Sequence, residues 1–173
     1  MRWMWIDSII AFEPRTRLVA IKNVSLAEEH LHDHFAADPA GGLAALPLMP
    51  TSLILEGMAQ TAGILVGSVH DFREKVVLAK VTSAVIDGDV GPGQTIRYEA
   101  RIERMDAMGA STTGIVSRFD HRDGAWREIG AVELMFSHLD QNMQGMQFPE
   151  ENFVFGENFR TILAAAGFDR FTR

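Results

Sequence analysis

Apolar and polar positions alternate along Thr16 to Ser25, "TRLVAIKNVS", the period of a strand with one face on a core. The pattern changes at Thr51. From there to Ser68 the apolar residues Leu53, Ile54, Leu55, Met58, Ala59, Ile64, Leu65 and Val66 fall nearly all round a helical wheel. A helix with so little polar face is buried on most sides. At a rise of about 1.5 Å per residue it is roughly 27 Å long. Four strand-like runs follow, Lys75 to Asp87, Gln94 to Met105, Ser111 to His121 and Trp126 to His138. "DGDVGPG" and "DHRDG" separate some of them with the Gly, Pro and Asp chemistry of turns. The order strand, long helix, consecutive strands predicts an α+β domain in which one antiparallel sheet curls around one central helix.

After Asp140 the character shifts. "NMQGMQFPEENFVFGENFRTILAAAGFDRFTR" sets six phenylalanines in an otherwise polar stretch, and Glu157 to Ala166 reads as a short helix closed by Gly167. The 173 residues fit one domain with a sizeable core. Cysteine is absent, which excludes a disulfide framework and thiolate chemistry. The first residues lack the basic start, apolar run and cleavage site of a signal peptide. The Thr51 to Ser68 run is marginal in length for a bilayer span and carries Glu56, Gln60 and several glycines, so the chain is expected to be soluble and cytoplasmic, without membrane insertion. A net charge of −7 with no basic block argues against nucleic-acid binding.

Glu56 stands in the middle of the apolar helix. Burying a carboxylate is costly or forces its protonation. A carboxyl in apolar surroundings stays protonated to higher pH, which is what a general acid needs. An upstream histidine would serve as the base. Gln60, one turn on, shares the helix face and can hydrogen-bond the carboxyl or order a water. A satisfied buried polar pair is the alternative. His30, His32 and His34 lie at alternate positions beside Asp33, and on an extended segment they would share one face. That spacing is similar to the HxHxDH of metallo-β-lactamase-type hydrolases but falls one residue short, and the second-half ligands are not evident. No metal is assigned, and His30 and His32 are read as solvated loop histidines. His70, His121 and His138 receive no role.

At this point the residues match a family. The chain resembles the β-hydroxyacyl–acyl carrier protein dehydratases of fatty acid synthesis, whose helix entry reads H-F-P-G-x-P-x-x-P-G-x-L-x-x-E-A-x-A-Q. Here "HF" is His34 and Phe35, and "MPTSLILEGMAQ" supplies Pro50, Leu53, Glu56, Ala59 and Gln60 at the same relative spacing. "MWIDSIIAFEP…RLVAIKNVS", with Asp7 and Pro14, and "VTSAVIDGDVGPGQTIRYEARI" are similar to the family's other stretches. Two departures stand out. The family's glycine after the motif's last proline, here Pro50, is Thr51, whose side chain would crowd the thioester or cap the helix. The segment between His34 and Pro50 is about eight residues longer than the family's, an insertion that loop entropy tolerates and that borders the expected site.

The resemblance implies a hotdog fold, a long helix wrapped by a curved antiparallel sheet. It implies a hotdog dehydratase-like domain over 1–140, with 141–173 as an aromatic-rich extension that packs on the domain or another subunit, or whose aromatics line an acyl pocket. It implies a dimer or trimer of dimers, with His34 of one subunit facing Glu56 of the other. The implied reaction removes water from a (3R)-3-hydroxyacyl thioester on acyl carrier protein. His34 would take the C2 proton and Glu56 would protonate the leaving hydroxyl. The Thr51, Ser52 and Leu53 amides would polarise the thioester carbonyl, Gln60 would complete the substrate site, and no cofactor is implied. A hotdog thioesterase and a non-catalytic acyl or carrier-protein binding module are the alternatives. Carrier proteins are acidic, as is this chain, so docking would need a local basic patch, for which Arg97, Arg101, Arg104, Arg118, Arg122 and Arg127 are candidates. Thr51 and the long loop lead us to expect a working enzyme with a restricted acyl preference.

Overall fold

The computed structural model describes residues 4–33, 36–139 and 155–168. Six strands form one antiparallel sheet: β1 (Ser8–Glu13), β2 (Arg17–Asn23), β3 (Val76–Ile86), β4 (Gln94–Met105), β5 (Gly109–Asp120) and β6 (Ala125–His138). Their order across the sheet is β1-β2-β4-β5-β6-β3. Three helices accompany them: α1 (Glu29–Asp33), α2 (Thr51–Ser68) and α3 (Glu157–Ala165). Helix α2 lies across the inner face of the sheet and touches every strand from β2 to β6, β4 most extensively. This is the wrapped-helix arrangement that the hydrophobic pattern predicts.

Two of these elements were not expected. In β1, "SIIAFE", only Ile9 is fully buried, so the segment lacks the alternation that marks a strand. It forms because the chain reverses at Pro14 to Thr16, with Arg15 at φ +65° and the Thr16 amide donating to the Glu13 carbonyl (3.1 Å). The other is α1. A helix replaces the extended segment on which the alternate-histidine argument depended, and a period of two has no meaning there.

Close contacts set how α2 sits. A Cβ on Gly57 would lie 2.4 Å from Tyr98 Cζ and Oη, so only glycine lets the helix rest directly on that ring. Met58 fills the space left by Gly114 on β5, where a Cβ would come within 2.3 Å of its sulfur. Around these contacts Ile54, Ile64 and Leu65 meet Leu18, Ile96, Val116 and Leu134, all 2% exposed or less. Among the described residues, no helix is long and apolar enough to cross a membrane.

The two sheet edges differ. β1 carries α3 and Phe168, whose ring meets Phe12 edge-on at 4.9 Å. Among the described residues β3 is hydrogen-bonded on one side only, to β6, and most of its eleven residues are exposed, Leu78, Val81 and Val85 among them. A long exposed edge with apolar side chains is a template for pairing with another strand.

Candidate active site

Helix α2 starts abruptly because Pro50, at φ −56°, is its N-cap and donates no amide. No side chain among the described residues caps this end, so of the two roles expected for the Thr51 side chain, capping the helix is not the one it takes. Thr51 and Ser52 are exposed at the first turn. The amides at a helix start lack intrahelical acceptors. Here Leu53 is already committed, since its amide donates to the Pro50 carbonyl (2.9 Å). Of the three amides expected to meet a substrate oxygen, that contact leaves those of Thr51 and Ser52 for the role.

One turn further, Glu56 is half-buried rather than enclosed. Its Oε1 accepts a hydrogen bond from Gln60 Nε2 (3.0 Å). Gln60 is 7% exposed, and its Oε1 accepts from the Trp5 backbone N–H (2.9 Å). That second bond settles the orientation of the amide: its oxygen faces Trp5, so its nitrogen must face the carboxyl. The expected i, i+4 pair therefore exists, and the N-terminal segment holds it.

Glu56, Ala59, Gln60 and Gly63 form one wall of a cavity of about 320 Å³. Val76, Val77 and Leu78 of β3 and Phe136 of β6 form the opposite wall, and Phe155 and Phe159 complete the lining. Sequence reasoning missed Gly63 and Phe136. Gly63 carried a signal, being seven residues from Glu56 and hence on the same helix face. Phe136 carried none, because the long-range pairing of β6 with β3 brings it there. A larger hollow of about 560 Å³ opens by the β4–β5 turn, beside Arg104, Met105, Met108 and Met135. No residue of α2 lines it. Size and chemistry disagree here, and chemistry decides: the carboxyl of the larger hollow, Asp106, accepts from the Met108 and Gly109 amides of its own exposed turn, whereas the smaller cavity is lined by the half-buried Glu56 held by Gln60.

His34 lies outside the described residues. His30 is not a solvated loop histidine: its side chain is 14% exposed and its ring meets Trp5 edge-on at 5.0 Å. Upstream of α1, Lys22 is 6% exposed and donates to Asp7 Oδ1 (3.1 Å), to the Asn23 carbonyl (3.0 Å) and to Glu28. All three ammonium protons thus have acceptors. This clip fixes the start of α1 against the sheet.

The arginines proposed for docking are largely engaged already. Arg101 meets Glu99 (2.8 Å), Arg97 stacks over the Trp126 ring (4.5 Å), Arg127 pairs with Asp123, and Arg118 donates to the Asp89 carbonyl. Arg118 and Arg122 also border a surface hollow beside Pro47 and Leu48, where the long loop returns to the body. The Met49 amide pins that return on the Val90 carbonyl (2.8 Å).

Residues 2–122 match the FabA-like domain family. The 3-hydroxyacyl-[acyl-carrier-protein] dehydratase FabZ of Ruminiclostridium cellulolyticum is 31% identical over 128 residues, covering 73% of this chain and 84% of that protein. FabZ of Chloroflexus aggregans is 36% identical over 104 residues, covering 60% and 67%. Among solved structures, the dehydratase heterocomplex ApeI:P from Xenorhabdus doucetiae aligns with a TM-score of 0.59 at 14% identity, over 82% of this chain and 90% of that one. An acyl-CoA hydrolase from Staphylococcus aureus in complex with butyryl coenzyme A aligns at 0.54 and 14%, over 72% and 66%. At such identities the structural likenesses speak for the fold alone, a hotdog fold. With a match across residues 2–122 and a FabZ relative 31% identical over most of both chains, the protein belongs to the FabA-like domain family.

Proposed function

We propose that the protein dehydrates a (3R)-3-hydroxyacyl thioester on acyl carrier protein to the trans-2-enoyl thioester. One observation carries this reading: Glu56 is hydrogen-bonded by Gln60 at the wall of an apolar cavity, on the helix stretch that matches the dehydratase motif. The relatives named FabZ support it.

The thioester carbonyl accepts hydrogen bonds from the Thr51 and Ser52 amides, where the helix N-terminus favours developing negative charge. His34, neutral, takes the C2 proton. Glu56, protonated, delivers its proton to the C3 hydroxyl, the C3–O bond breaks, and water leaves. The imidazolium and carboxylate that remain exchange one proton to restore the starting state. Side chains and backbone amides perform every step.

The site is shared between two copies of the chain in this reading. Glu56 stands on the accessible side of α2, and the unpaired edge of β3 is suited to antiparallel pairing with a second β3. His34 of one copy then faces Glu56 of the other. A homodimer is the unit, alone or as a trimer of dimers, and it works in the cytoplasm. Residues 141–173 act as an extension of the 1–140 domain rather than as a second unit.

The solved acyl-CoA hydrolases of this fold give the competing reading, thioester hydrolysis. Purified protein with 3-hydroxyacyl carrier-protein substrates decides between them. Enoyl absorbance without free thiol is the expected result. Free thiol without enoyl product identifies a thioesterase, and binding without either product identifies a binding module.

A further inference from the structure

Helix α2 carries two glycines on the cavity side, one turn apart, and they have different neighbours. At Gly63 a Cβ would meet only Phe136 Cε1, at an ordinary 3.5 Å. At Gly67 it would lie 2.6 Å from Phe155 Cζ and 2.9 Å from Phe72 Cδ1. The first glycine leaves room within the cavity, and the second has its room filled by aromatic rings.

The cavity is therefore a groove along one stripe of α2, running from Glu56 past Gln60 to Gly63, about 10 Å of helix at 1.5 Å per residue. At Gly67 the groove is plugged. Phe155 is 6% exposed, meets Phe72 edge-on at 4.7 Å and Phe159 at 5.9 Å. The plug is held from both sides. Phe72 stands at φ +55°, with its amide donating to the Gly67 carbonyl (2.9 Å), so its ring is fixed by the turn that ends α2. On the other side Leu163 of α3 is 3% exposed and Phe168 packs on Phe12. Phe155 and Phe159 lie beyond residue 122, where the family match ends. They also lie beyond β6, the last strand of the sheet, and close the end of the groove.

We infer that Phe155 and Phe159 form the floor of the acyl site and restrict it to short acyl chains, an inference that rests on the dehydratase reading above. The open volume of about 320 Å³ lies near the low end of the roughly 300–1,000 Å³ common for small-molecule sites. A chain that extends from the reacting C3, beside Glu56, toward Gly67 meets the Phe159 and Phe155 rings. Phe159, the more exposed of the two, is the ring that can be trimmed with least disturbance.

The test is kcat/KM across 3-hydroxyacyl carrier-protein substrates of graded length, for wild type, Phe159→Ala, Phe155→Leu and Phe159→Trp, with each variant's melting followed by circular dichroism. Wild type is expected to favour short chains. One methylene in an apolar pocket is worth about tenfold or more in discrimination. Phe159→Ala and Phe155→Leu are therefore expected to raise the ratio of longer to shorter substrates by about tenfold or more, and Phe159→Trp to lower it. If trimming unfolds the protein, the Phe159→Trp shift decides. An unchanged length profile in the folded variants overturns the inference, as does a wild type that takes long chains as well as short ones. If no protein forms enoyl product at any length, the dehydratase reading fails by itself. The same ratios are then read from the Kd of the acyl carrier-protein series, where a shift supports the plug and no shift overturns it.

Discussion

The two sides of α2 differ completely within one residue. Gly57 faces the sheet, with no room even for a methyl group beside Tyr98. Glu56, its neighbour, faces a cavity and carries a carboxyl that accepts a hydrogen bond from Gln60. The sheet side is closed: Ile54, Met58, Leu65 and their partners leave no slack, and the buried Thr61 hydroxyl donates to the Gly57 carbonyl (2.7 Å). The cavity side carries Glu56, Gln60 and the glycine that opens the groove. The comparison resolves the apparent cost of a carboxyl in an apolar helix. The helix is enclosed over most of its circumference, and its carboxyl takes the stripe that is not, whereas the buried hydroxyls of Thr61 and Ser68 donate to the helix's own carbonyls.

Substitutions on either side break that comparison in different ways. Glu56→Gln is the largest. It keeps the shape and one hydrogen-bonding oxygen, so melting should be nearly unchanged, while the loss of a proton donor should lower kcat about 10²–10⁴-fold, followed by enoyl absorbance. Gly57→Ala acts on the other side and reverses the emphasis. Helix propensity alone would gain about 1 kcal/mol from it. Overpacking a rigid ring costs about 1–3 kcal/mol, and a contact of 2.4 Å with Tyr98 puts it at the upper end, so a net loss of about 2 kcal/mol is expected in urea unfolding.

A third substitution tests a charge pair remote from the cavity. Arg17 donates to Glu99 through Nε (2.9 Å) and Nη2 (3.0 Å), and Arg101 adds a third bond. The Arg17 hydrogen bonds, reinforced by Arg101, lower the Glu99 carboxyl to about 2. A carboxyl lowered in the folded state stabilises it above the unfolded value, near 4.3, and that stabilisation is lost as pH falls toward the folded value. With part of the pair open to solvent, Glu99→Gln should cost about 1–2 kcal/mol at neutral pH. The gap from wild type should close as the pH falls from about 4 toward about 2. Tyr98→Phe is the smallest effect and has the opposite sign. Burial pushes the Tyr98 phenol well above its usual range, with Asp7 and Glu28 adding to it, and the Oη has no hydrogen-bond partner among the described residues. A buried hydroxyl without a partner costs about 1–3 kcal/mol, so removing it should raise stability by about 1 kcal/mol. A loss on thermal or urea unfolding would contradict that account of the sheet side.

Much of this asymmetry could be read from the chain. The long helix and the strands after it fall within two residues of where periodicity puts them, because each is long enough for its pattern to accumulate. The Glu56–Gln60 pair follows from i, i+4 geometry alone. The short helix α3 was legible too, from Gly167 after its end, but two short elements escaped. β1 has no alternation, and α1 has five residues, too few for any period. Of the two roles open to the Thr51 side chain, crowding the thioester or capping the helix, the cap position falls to Pro50, and the Leu53 amide donates to the Pro50 carbonyl; both depend on one turn of backbone that composition does not reveal. The position of Phe155 against Gly67 depends on where the chain returns after β6, which no local pattern encodes. His34, Phe148, Phe153 and Phe171 lie outside the described residues.

The central claim is that the cavity side of α2 supplies half of an active site and a second copy supplies the other half. Co-expression of His34→Ala with Glu56→Gln tests it most directly. Each variant alone should be nearly inactive. In random pairing half of the dimers are mixed, and each mixed dimer holds one site with both His34 and Glu56 intact, so activity should recover to about a quarter of wild type. Recovery no higher than the parent variants would contradict the account, since it would mean that His34 and Glu56 do not act together across two copies of the chain.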